Sequence, residues 1–190
     1  MGKWVGDARN PDHLCQGFLP DSISPCIKNP KRGFLFSANQ HPTPSPYPYA
    51  YTGFFELWRN QRILSRLQNA KQWDFQDMQA LQMDSYSEEA ATLLPLMLGK
   101  LPKQNSPMYD SLLQWDYVYR APSQAATFFH QWLDEFEQKL WHPLNPELHE
   151  IPERWVLPYI LKDSVGTYNP WMPKASGSVS QWLLESFKFC

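Results

Sequence analysis

Asn29-Pro30-Lys31-Arg32-Gly33-Phe34-Leu35-Phe36-Ser37-Ala38-Asn39-Gln40 is the stretch around which the rest of the chain is read. Gly33–Ala38 is a short apolar run bounded by turn residues, a pattern that predicts a buried strand. Asn39 closes the run and stands before His41-Pro42-Thr43-Pro44-Ser45-Pro46-Tyr47-Pro48. Four prolines in those eight residues exclude helix and central strand, so Asn39 sits at a rigid corner. A carboxamide fixed at a corner can donate an N–H to charge developing on a carbonyl oxygen. It can equally be a turn residue and nothing more, which is the commoner role of Asn before a loop.

Outward from this stretch the chain divides by composition. Residues 1–32 carry Gly, Pro, Asp and Asn at short intervals and read as loop; with the strand and the Pro-Tyr segment they form a first part, 1–52. Residues 53–142 are expected to be helical. From Gly53, Phe54, Leu57, Trp58, Leu64 and Leu67 recur at helical spacing with Arg59, Arg62 and Arg66 interleaved. Asp74 is placed to cap a second helix and Ser87 a third, with Glu88 and Glu89 at its positive end. Pro95 is expected to kink that third helix or end it early. Pro122 is read as opening the clearest helix, with Ala125, Phe129, Trp132, Phe136 and Leu140 as its buried stripe and Glu135–Lys139 as an ion pair on its exposed face. Prolines return in 143–190, which reads as an irregular tail of the same incomplete domain.

Composition narrows the function classes. Nine Trp, nine Tyr and eleven Phe in 190 residues are incompatible with a disordered linker. A net charge of −2, with no block of Lys or Arg, argues against nucleic acid or an anionic membrane as partner. No apolar run approaches a membrane span, and the start lacks a signal-peptide apolar region. Cys15, Cys26 and Cys190 are too few for a disulfide framework, and with His13 and His41 they match no zinc spacing. A glycosidase reading draws only on the Trp and Tyr content and lacks a convincing carboxylate pair.

The quoted stretch resembles the penicillin acylase family's Asn-Pro, Gly, apolar strand and Ala-Asn. Tyr47-Pro48 is similar to the family's Tyr-Pro, and Arg59-Asn60-Gln61-Arg62-Ile63 resembles its Arg-x-x-Arg-Ile helix. Gln82-Met83-Asp84-Ser85-Tyr86-Ser87, Trp115-Asp116 and Ser123-Gln124-Ala125-Ala126 are similar to later family pieces in the same order. The likeness covers roughly residues 4–140. It implies an α+β fragment of the αββα fold of N-terminal-nucleophile hydrolases: mostly helical in 53–142, with one or two short strands before it. It further implies that Asn39 is the side-chain donor of the oxyanion hole, and that Arg62 is the helix arginine supporting the site. Asp84 and Ser87 are read as structural, a local carboxylate acceptor and a cap.

The same resemblance implies hydrolysis of linear amides such as β-lactam side chains or acyl-homoserine lactones. Its partners would be a small-molecule amide substrate, the remainder of the large subunit and a small α chain, in a periplasmic or secreted enzyme. No cofactor is expected. Calcium, held by an aspartate in some members, is disfavoured because Tyr49-Ala50-Tyr51 carries no carboxylate at the matching place. The family's N-terminal Ser nucleophile lies far upstream of the asparagine, whereas 38 residues precede Asn39 here without a processing site. The chain alone is therefore expected to be inactive. The competing expectation is a non-catalytic interaction module displaying Trp141, Trp155, Trp171 and Trp182.

Overall fold

The structure is a computed structural model, which describes residues 6–14, 17–43, 47–49, 53, 55, 57–69, 72–141, 152–163 and 178–190. Cys15, Trp171 and the stretches 142–151 and 164–177 lie outside the described residues. The described residues hold seven α-helices: α1 (Trp58–Asn69), α2 (Phe75–Gln82), α3 (Glu88–Gly99), α4 (Pro107–Gln114), α5 (Gln124–Trp141), α6 (Leu157–Lys162) and α7 (Val179–Phe189). Contacts divide the chain into two compact units, Met1–Gln82 and Met83–Cys190.

Helix starts follow from side chains that satisfy the free amides of the first turn. Ser87 accepts from Ala90 N at 3.0 Å, Ser106 from Tyr109 N at 3.2 Å and Ser178 from Gln181 N at 3.2 Å. Asp74 Oδ1 accepts from Asp77 N at 2.8 Å, as its spacing predicts. Asp84 is local structure too, since its Oδ1 accepts from Tyr86 N at 3.1 Å.

The core of the second unit is built on α5. Ala125, Phe129, Trp132, Phe136 and Leu140 are all buried, so the stripe expected from the sequence is real and it is covered. The covering helix is α7. Trp132 Nε1 donates to Leu183 O at 3.0 Å, and the Phe187 ring meets Trp132 at 5.2 Å, Phe128 at 5.1 Å and Tyr109 at 6.3 Å. From α3, Ala90, Leu93, Leu94 and Met97 join the same cluster, with Leu157, Ile160 and Leu161 of α6. Aromatic rings meeting edge-to-face at these separations add to the area that they bury.

Several expectations are corrected. The described residues are mostly helical, as expected for 53–142, but the strand expected before them does not form. Among the described residues the one β pairing is an isolated bridge, Tyr86 with Val118, and no ladder forms at Gly33–Ala38. An apolar run becomes a strand only when a neighbour takes its backbone groups. Here side chains take some of them: Arg32 Nε donates to Phe34 O, Gln40 Nε2 to Phe36 O, and Ala38 N to Gln40 Oε1. The first helix starts at Trp58 rather than near Gly53.

Pro95 does not end α3, which runs on to Gly99 with the proline on an exposed face. Pro122 stands before α5 instead of inside it, because Ser123 Oγ accepts from Ala126 N at 3.3 Å and serves as the cap. Lys139 pairs across to Glu185 of α7 at 3.7 Å, so the pair expected within α5 is a link between helices.

The tail expected to be irregular carries α6 and α7, both packed into the core. Of the tryptophans proposed as a display surface, Trp141 and Trp182 are buried and Trp155 is exposed. No helix among the described residues is long and apolar enough to cross a membrane.

Candidate functional site

The corner at Asn39 belongs to the first unit, and the chain braces it locally. Gly33 adopts φ +77°, a left-handed conformation open to glycine, and its N–H closes a turn onto Pro30 O at 2.9 Å. The Arg32 guanidinium lies 5.1 Å from the Phe34 ring centroid and 4.9 Å from that of Phe36 while holding Phe34 O. The Gln40 side chain then clasps the backbone on the other side, receiving Ala38 N at 2.6 Å and donating to Phe36 O at 3.0 Å. Ala38 is buried, 3% exposed, and Asn39 immediately after it is exposed. Tyr47 ties the following segment down through its hydroxyl, which donates to Ile23 O at 2.9 Å.

Asn39 itself has φ +60°, a region that Asn enters more readily than other non-glycine residues. Its Oδ1 accepts from Arg59 Nη2 at 3.3 Å. Arg59 lies in the first turn of α1, twenty residues on, so α1 meets the corner directly. A guanidinium has donors only, so the carboxamide must turn its oxygen toward Arg59. Its NH2 group then faces away, and Asn39 Nδ2 makes no hydrogen bond among the described residues. The result is an amide oriented by Arg59, with its NH2 group unengaged among the described residues.

Arg62, the arginine singled out from the sequence, is half-buried one turn further along α1. The guanidinium that reaches Asn39 is that of Arg59.

No cluster of three or more His, Cys, Asp or Glu among the described residues could hold a metal ion.

The chain is of the amidohydrolase type. The sequence model for penicillin amidase matches residues 1–188, nearly the whole chain, and the protein belongs to the penicillin amidase family. Comparison with curated proteins finds no match.

Proposed function

We propose that this chain supplies the oxyanion-donor corner of a penicillin-amidase-type hydrolase acting on linear amides. The observation carrying the reading is the Arg59–Asn39 hydrogen bond, which orients the carboxamide with its N–H outward. In amide hydrolysis a nucleophile adds to the acyl carbon and negative charge collects on the former carbonyl oxygen. A preset N–H directed at that oxygen strengthens as the charge grows and therefore lowers the barrier rather than merely binding substrate. Asn39 is the donor in this scheme, Arg59 fixes its orientation, and Arg62 supports the same face of α1.

The nucleophile, a serine hydroxyl activated by its own α-amine, comes from the remainder of the large subunit, which together with a small α chain completes the enzyme. The isolated chain is inactive on this reading. Substrates are small-molecule amides, β-lactam side-chain amides or acyl-homoserine lactones, in a periplasmic or secreted setting. The interaction-module alternative loses support from the structure, since Trp141 and Trp182 are core residues.

The test uses a complete family enzyme carrying this segment. Asn39→Ala is expected to lower kcat by roughly 100- to 1000-fold with little change in KM, the usual cost of one oxyanion donor. Maturation is followed separately by mass spectrometry. A fully matured variant with near-normal kcat would reduce Asn39 to a turn residue and remove the functional reading.

A further inference from the structure

A second constellation of charge lies away from Asn39, in the unit Met83–Cys190. Arg154, in a short 3-10 turn (Arg154–Val156) leading into α6, is shared among three carboxylates. Its Nε donates to Glu137 Oε2 at 2.8 Å, its Nη2 to Asp134 Oδ1, and its Nη1 lies 3.6 Å from Glu89 Oε2. Glu137 and Asp134 project from α5 and Glu89 from α3, so one guanidinium fastens the α6 segment to both helices. Glu137 is unlike the other two carboxylates. It is fully buried, and its Oε1 has no hydrogen-bond partner. A buried carboxylate with one unsatisfied oxygen and a counter-charge divided three ways is poorly compensated.

We propose that this constellation is a proton-tightened latch, in which proton uptake by Glu137 holds the segment Glu153–Asp163 more firmly against α3 and α5. When the segment lifts away, Glu137 regains water and ionises readily. When the segment is seated, burial and the neighbouring Glu89 and Asp134 charges disfavour ionisation, and together they outweigh the attraction of Arg154. The seated form therefore binds a proton more tightly than the lifted form, and acid favours the seated form.

Burial holds the Glu137 carboxyl above the ordinary glutamate range, so its contribution is complete below that range and is lost as pH rises through the elevated value. The other groups facing the latch are His130, whose Nε2 lies 3.6 Å from Asp134 Oδ2, and Tyr119, whose phenol is pushed up to about 12 and stays neutral.

The experiment is amide hydrogen exchange of Tyr159–Leu161 in the full chain between pH 5.5 and pH 8, corrected for intrinsic exchange. Protection is expected to fall several-fold as pH rises. E137Q, which keeps the shape without the charge, is expected to be pH-independent and at least as protected as the native chain at pH 5.5. His130→Asn removes the imidazole that faces Asp134 and is expected to leave the dependence intact. A dependence that survives E137Q, or that disappears with H130N alone, overturns the proposal. Carbon-detected NMR titration of the Glu137 carboxyl in the unmutated chain gives a check independent of any variant. A midpoint at or below the ordinary glutamate range would also overturn it.

Discussion

At the scale of single residues, orientation counts for more than presence. Asn39 could be picked from the sequence because it ends an apolar run before a proline-rich corner. Which arginine would meet it could not, because Arg59 and Arg62 are three residues apart on one helix, and the phase of α1 depends on its start at Trp58. Phase of this kind is set by tertiary contact, and the spacing of apolar residues from Gly53 pointed to an earlier start. The assignment of Arg59 as a positioning residue leads to a graded expectation. In a complete family enzyme, Arg59→Met leaves the Asn39 amide present but free to rotate. One exposed hydrogen bond to a charged donor contributes on the order of 1 kcal/mol, so kcat is expected to fall by up to roughly tenfold. KM should move little, and Arg59→Lys should restore part of the loss. An Arg59→Met variant as impaired as Asn39→Ala would show instead that the corner had collapsed.

Among the elements, the caps Asp74 and Ser87 were the most legible features and prolines the least. Ser87 and Asp74 were assigned from sequence and both cap, because a side chain bonding to amides two or three residues away needs nothing from the rest of the fold. Ser87→Ala is accordingly expected to cost about 1 kcal/mol in urea unfolding. Pro95 shows the limit of local reasoning. Alone it should stop a helix, yet Leu93, Leu94 and Met97 around it are buried, and their packing holds α3 together through it. The ring faces outward, so Pro95→Ala gives back a backbone hydrogen bond and loses little contact. It is expected to stabilise the chain by about 1–3 kcal/mol, measured by the same unfolding experiment. The bridge beside this helix was not legible at all. Tyr117 holds φ +62°, a strained value for a bulky residue, and is kept there by Ser87 N–H to Tyr117 O at 2.9 Å and Tyr119 N–H to Ser85 O at 3.0 Å. Helix α7 was missed because five prolines between Pro146 and Pro173 mark the region before it as loop, although Trp182, Leu183 and Phe187 carry a helical period.

For the molecule as a whole, the class read as α+β rested on a strand whose pairing depends on other strands, whereas the helical reading of 53–142 rested on periodicity within each segment. Patterns internal to a segment were recoverable, and patterns requiring a distant partner were not. The buried aromatic cluster lies entirely within Met83–Cys190, so this unit is expected to unfold cooperatively. Trp132→Ala should destabilise it by about 3–5 kcal/mol, since the indole is fully buried and its N–H is satisfied by Leu183 O. A loss below 1 kcal/mol would mean that the α5–α7 contact does not hold the core. That contact also bears on how the protein is made. The Trp132–Leu183 hydrogen bond joins positions 51 residues apart, and Phe187 closes over the same indole. During vectorial synthesis the apolar stripe of α5 therefore emerges from the ribosome well before the helix that covers it, and it stays uncovered until translation has passed Phe187. For that interval the nascent chain presents Phe129, Trp132 and Phe136 as a ready substrate for a chaperone, and slow codons between 142 and 178 would lengthen its exposure to aggregation.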